Sequence, residues 1–179
     1  MKRRFAGLVG LVFFASISGV ALKALGAPPN VAAIMPFVMA AGLVGGPVFG
    51  FLAGLATRGV YDVYLGSVGP WTLLTSPSYG VAGMLVGLAG LWWKKWDRVR
   101  LAALAVAVTL VYDAVTMVLF SVPFGFPLWQ SVMMQVPFTI NHVVGNALFC
   151  FLFVPLVMPV LRKLGVEMKA PTAAPAAVL

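Results

Sequence analysis

Charge is what this sequence has least of. Only 9% of its 179 residues are charged while 62% are apolar, and the mean hydropathy is +1.05. A soluble domain averages about 25% charged and about 45–50% apolar residues, so this chain has too little polar surface to cover a globule in water. Acidic side chains are scarcest: four Asp and Glu stand against twelve Lys and Arg, a net charge of +8. The cations fall between apolar runs rather than on one face, which argues against a nucleic-acid partner and makes the charge a signal of topology. The single cysteine, Cys150, lies within an apolar run with no partner for a disulfide or a metal site. There is one histidine, and neither H-E-x-x-H nor G-x-S-x-G occurs, which disfavours zinc proteolysis and serine–histidine hydrolysis. The phosphate-cradling G-x-x-x-x-G-K-[ST] is also missing, so energy for any transport must come from a partner or an ion gradient. These absences predict a protein that is not an enzyme, with no cofactor and no metal.

What is present is hydrophobic length. A membrane helix needs roughly 20 apolar residues, and six apolar segments are punctuated by Gly, Pro and charge: Phe5 to Leu25, Val31 to Val44, Pro47 to Tyr64, Pro77 to Trp93, Leu101 to Ser121, and Met134 to Leu161. Gly45-Gly46-Pro47 divides the second from the third, leaving the second short. The expected fold is all-α: a polytopic membrane protein, a six-transmembrane-helix bundle with both termini inside, filling residues 1–165. The Ala/Pro-rich remainder, 166–179, reads as a disordered cytoplasmic tail. This topology puts Lys2, Arg3, Arg4, Lys94, Lys95, Arg98, Arg100, Arg162, Lys163 and Lys169 on the cytoplasmic side and only Lys23 and Arg58 outside. Trp92, Trp93 and Trp96 then fall at the inner interface, Trp71 and Trp129 at the outer one. The first segment also resembles a signal peptide, with Ala24-x-Gly26 as a cleavage site. Its apolar run is longer than the usual core of about 7–15 residues, so it is expected to be retained.

Some residues do not belong in lipid. Gly80, Gly83, Gly87 and Gly90 share one face of the fourth segment, and Gly46, Gly50 and Gly54 have similar spacing in the third, the pattern of close helix packing. In the fifth segment Thr109, Tyr112, Asp113 and Thr116 form a polar stripe; in the sixth, Gln135, Thr139, His142 and Asn146 form a second. Asp113 and His142 each lie about 12 Å from the outer ends of neighbouring antiparallel helices, so the stripes can meet. Ionisable groups at that depth either clamp helices together or line a wet cavity. The cavity is the preferred reading. Arg58 and Asp62, four apart, form either a solvated local pair or a ligand contact. Tyr61, Tyr64, Trp71, Tyr79, Phe124, Phe126 and Trp129 crowd the outer segments, as an interface belt or as a lid able to stack on a planar ligand.

The whole pattern resembles the substrate-binding S component of an energy-coupling factor (ECF) vitamin transporter. The residues that carry this resemblance are the six spans, Gly45-Gly46-x-x-x-Gly50-x-x-x-Gly54 followed by Asp62, the aromatic outer loop, and the Trp/Lys/Arg-rich inner loop after the fourth segment. The resemblance implies a multi-pass protein of the cell membrane that takes up a vitamin-like small molecule from outside, between the fourth to sixth helices and the outer loops. Its substrate-binding residues would be drawn from Asp113, Tyr112, Thr116, Thr109, His142, Asn146, Thr139, Gln135, Tyr79, Trp71 and Trp129. Its partners would be the lipid bilayer, a transmembrane coupling subunit and two ATPase subunits. The family docks on the coupling subunit through Ala-x-x-x-Ala on the first helix. The nearest matches are Ala6-x-x-x-Gly10 and Ala15-x-x-x-Gly19, with Gly for the second Ala. Lys2 replaces the His that the nickel and cobalt branch uses, so a metal substrate is disfavoured. Two other classes stay open: a small structural or assembly membrane protein, and an intramembrane aspartyl enzyme using Asp62 and Asp113.

Overall fold

The structure is a computed structural model that describes residues 2–93 and 95–168. Regular structure among them is entirely helical: α1 (Lys2–Ala24), α2 (Met35–Gly45), α3 (Pro47–Tyr64), α4 (Pro70–Trp92), α5 (Arg98–Ser121) and α6 (Leu128–Lys163). Four of these, α1, α4, α5 and α6, are long and apolar enough to cross a membrane.

The third helix matches its expected limits, and two others depart furthest. α4 begins at Pro70 rather than Pro77, because Pro70 occupies a first-turn position where a missing N–H costs nothing, and the Thr72 hydroxyl accepts from Gly69 N–H at 3.2 Å. Pro77 is then inside the helix. α6 begins at Leu128 rather than Met134 and runs through Pro137, Pro155 and Pro159 for 36 residues, about 54 Å. Trp71 and Trp129 therefore lie in first helical turns, not in loops. α5 gains a turn because Asp97 caps it, accepting from Arg100 N–H at 2.8 Å. α2, expected from Val31, starts only at Met35.

α2 is apolar all round and accordingly sits at the centre, with Met35, Val38 and Met39 fully buried. Around it α3 and α4 pack at backbone contact. A Cβ on Gly50 would strike the Gly83 carbonyl and one on Gly83 the Gly50 carbonyl, while Gly54 lies against the Tyr79 carbonyl and Gly87 against Pro47. The glycine faces of the third and fourth segments are thus each other's partners. α1 runs parallel to α3, with the Ser16 hydroxyl donating to Thr57 O at 3.1 Å. α5 and α6 form an antiparallel hairpin.

The start of α1, the α2–α3 corner and the end of α6 meet at one end of the bundle. Gly46 turns the corner with φ of 86°, a left-handed conformation that favours glycine. The last carbonyls of α2 are capped from outside: Arg4 Nη2 donates to Gly45 O at 3.2 Å and Met168 N–H to Val44 O at 2.9 Å. Val166 is fully buried. Residues 166–168, expected to open the disordered tail, are instead folded onto the bundle, because burying Val166 and pairing the Met168 amide hold them there. The rest of that tail, 169–179, lies outside the described residues.

Candidate functional site

At the opposite end the helices separate around a cavity of about 570 Å³. One wall belongs to the α5–α6 hairpin, where the two polar stripes meet. Asp113 is the junction: its Oδ1 lies 2.8 Å from His142 Nδ1, and its Oδ2 accepts from the Thr139 hydroxyl at 2.8 Å. Gln135 donates to the Thr139 hydroxyl at 3.2 Å. One turn deeper Asn146 Nδ2 donates to the Thr109 hydroxyl at 2.9 Å, both side chains being fully buried. Thr116 turns its hydroxyl back to Tyr112 O. The Tyr112 ring packs edge-on against both His142 and Tyr79, with centroids 5.5 Å and 4.8 Å apart.

The facing wall was only partly foreseen. Arg58 and Asp62 of α3 form a buried ion pair rather than a solvated one. Asp62 Oδ2 also accepts from the Thr72 hydroxyl at 2.7 Å, and Arg58 lies 5.1 Å over the Tyr61 ring. A guanidinium has five N–H donors, so donors remain for a guest.

The third wall is the segment between α1 and α2. It turns at Pro28-Pro29-Asn30, with Asn30 at φ of 63°, then descends beside α1 until Ala33 O accepts from the Ser18 hydroxyl at 3.1 Å. Ser18 lies six residues short of the end of α1, so irregular backbone reaches about 9 Å below it. At membrane depth such backbone persists only where it is buried in protein or lines a water-filled cavity. Pro28 to Ala32 line this cavity, with Lys23 at its rim.

Of the eleven expected binding residues, Asp113, Tyr112, Thr116, His142, Gln135, Tyr79 and Trp71 line the cavity. Thr139 lies behind the wall, holding Asp113, and Thr109 and Asn146 form the deeper bolt. Trp129 is exposed on the first turn of α6 and does not line the cavity. Lys23, Asn30 and Arg58 join the lining. The signals for them were the Pro-Pro-Asn turn and an Arg in an apolar helix. Asp62 and Asp113 both face the cavity, yet each carboxylate is held by its own partners rather than by the other, and a shared-proton dyad needs direct contact. Among the described residues no cluster of three metal-ligating side chains occurs.

On α1, Ala15 and Gly19 face inward: Ala15 is fully buried, and a Cβ on Gly19 would meet the Tyr61 ring and Ile34. Neither can meet another subunit, because the chain's own α2 and α3 side occupies that face. Ala6 is exposed, and nothing lies within 4 Å of a Cβ placed on Gly10.

A helical bundle with this hydropathy, apolar side chains exposed along its long helices and charge confined to its ends and one cavity, is an integral, multi-pass membrane protein. Residues 2–156 match the family model described as 5TMR of 5TMR-LYT, and the chain belongs to that family. No curated protein matches the chain, and no solved structure does.

Proposed function

We propose that this membrane protein captures a small, vitamin-like molecule in the cavity between α1–α4 and α5–α6. The observation that carries the reading is the third wall: irregular backbone at depth facing a space of about 570 Å³ lined by apolar and polar side chains together, a size suited to a small organic ligand. The lining supports it, since rings from Tyr79, Tyr112 and Trp71 offer stacking faces while Arg58, Gln135 and Lys23 offer donors. A protein whose polar stripes served only as glue would close them on one another along their whole length. Here the stripes close through Asp113 with His142 and Thr139 and through Asn146 with Thr109, yet Tyr112, Asp113, Gln135 and His142 also line the cavity.

In its specific form the proposal is the S component of an ECF importer in the cell membrane. The chain crosses six times, α2 and the irregular segment before it making the second crossing together. The termini are cytoplasmic, following the basic residues, and the cavity opens outside. A transmembrane coupling subunit and two ATPases then supply the energy, and the exposed Ala6–Gly10 face of α1 is where the coupling subunit docks. Mass spectrometry of small molecules released from the detergent-purified chain tests the capture step. A molecule that raises the melting temperature of the purified chain when added back supports it, because only a binder of the folded state stabilises it. If extracts retained by the chain contain no small molecule and no vitamin-like compound shifts its melting, the capture reading fails.

A further inference from the structure

We infer that His142 presents its Nε2 to the cavity as a hydrogen-bond acceptor, set in that state by Asp113 and Thr139, and that the guest is a planar heterocycle meeting it with an N–H or O–H. The inference rests on the capture reading and deepens it by naming the class of molecule the site takes.

The proton positions follow from the bonds behind the wall. Gln135 donates to the Thr139 oxygen at 3.2 Å, and the Thr139 proton is given to Asp113 Oδ2, 2.8 Å away. The other carboxylate oxygen, Oδ1, lies 2.8 Å from His142 Nδ1. An ionised carboxylate only accepts, and a neutral imidazole carries a proton on one nitrogen and a lone pair on the other. The bond made by one ring nitrogen therefore decides the state of its partner: Nδ1 holds the proton and Nε2 the lone pair. Tyr112, packed edge-on at an interplanar angle of 81°, holds the imidazole plane from another side. Asp113 and Thr139 are thus positioning residues for the ring.

No described residue bonds Nε2. It is not sealed in the wall either, since the enclosed side-chain polar atoms without a partner belong to Arg4, Thr57, Thr75 and Ser76. With His142 lining the cavity, Nε2 is the atom it offers there. Arg58 on the facing wall is the converse, a guanidinium that can only donate. A guest that satisfies both walls carries a donor on one edge and an acceptor, a carbonyl or an acid group, on another. The Tyr79 and Trp71 rings in the lining favour a flat molecule. Cyclic amides and hydroxylated or amino-substituted heteroaromatics have this pattern, whereas fully alkylated rings do not.

The test exploits a property of the sequence: the chain has one histidine, so nitrogen NMR of histidine-labelled protein gives a single pair of ring signals. The full chain is measured in nanodiscs at about pH 8, above the range where a free imidazole takes a second proton. The guest-free parent should show a protonated Nδ1 and a lone-pair Nε2. Asp113→Asn replaces the acceptor with an amide able to donate to Nδ1, and the proton should move to Nε2. The molecule released from the purified chain, added back, should shift the parent's Nε2 signal while the proton stays on Nδ1, and should bind Asp113→Asn at least about tenfold more weakly. A proton on Nε2, or on both nitrogens, in the guest-free parent overturns the inference, and that spectrum needs no variant to fold. So does a molecule that raises the melting temperature yet leaves Nε2 unmoved or has no N–H or O–H; capture then stands through other contacts. If no molecule is retained and none stabilises the chain, capture fails by its own test and the guest assignment falls with it.

Discussion

Arg58 shows how much one side chain carries at this site. It neutralises Asp62, covers the Tyr61 ring and lines the same cavity as Tyr112 of the α5–α6 hairpin. Replacing it with Leu strands a buried carboxylate, a loss of about 3–5 kcal/mol. The expected outcome is a large fall in the melting temperature of the guest-free protein. Arg58→Lys keeps the charge but not the planar fork, so melting should recover more than affinity for the co-purifying molecule. The polar contacts between α5 and α6 separate structure from function more sharply. Asn146→Leu leaves the Thr109 hydroxyl buried without its partner, costing about 1–3 kcal/mol of stability, and should leave affinity unchanged because neither residue lines the cavity. Asp113→Asn alters the clamp and the wall together, so melting and affinity should both drop, affinity by about 1–3 kcal/mol through the lost charge. Equal behaviour of the two variants in calorimetry and binding would remove Asp113 from the site.

Among the elements, α3 and α4 depend on glycine in a way that spacing alone revealed: residues three and four apart on each helix share a face, and in a membrane small residues mark where backbones touch. The partners follow from the antiparallel run, Gly50 against Gly83 and Gly54 against Tyr79 and Gly80. Gly83→Val should therefore be severely destabilising, beyond the usual 1–3 kcal/mol of overpacking, because the obstruction is a backbone carbonyl with no rotamer to change. Gly10→Val faces open space and should leave the melting temperature within about a degree or two, a small surface effect. Loss of folded protein in both variants, judged by size-exclusion profile and thermal unfolding, would count against this packing. Helix ends were less legible than helix faces. Pro77 reads as the start of the fourth segment, yet Pro70 begins α4 and Pro77 sits inside it. In a membrane bundle, neighbours and hydroxyls such as Ser78, donating to Leu74 O at 2.7 Å, can support a helix around a proline. The late start of α2 has the opposite cause: Val31 to Ile34 are apolar enough for helix, but Ala33 O bonds Ser18 and Ile34 provides no side-chain cap.

At the scale of the whole molecule, half of the site was legible because both stripes repeat at helical spacing within single segments, and opposing stripes at equal depth must meet. The other half was hidden. The Arg58 side of the cavity and the Pro28 to Ala32 wall come from segments distant in sequence, brought to α5 and α6 only by tertiary packing. The first and last described residues share one end of the bundle, where Val166 rests on Gly7, as the proposed six crossings require. In the proposed orientation the ten basic residues assigned to the cytoplasm put that end inside, and the cavity opens outward. A reporter active only in the cytoplasm, fused after Leu179, should be active, and one fused into the α5–α6 turn at Gly125 should be silent; the reverse pair would invert the proposed uptake. With that orientation, Ala6 and Gly10 form the small exposed face on α1, whereas Ala15 and Gly19 are sealed by the chain itself. Gly10→Trp should consequently block co-purification of a coupling subunit while melting and small-molecule affinity stay at the parent level, because bulk at an open face hinders only a docking helix. Ala15→Trp should instead lower melting, since it must displace α1 from its neighbours. Undiminished assembly of Gly10→Trp with a coupling subunit would move the docking surface off this face of α1. Failure of the parent chain to co-purify with any such subunit and ATPases would remove the importer form of the proposal, leaving capture to stand or fall on its own measurement.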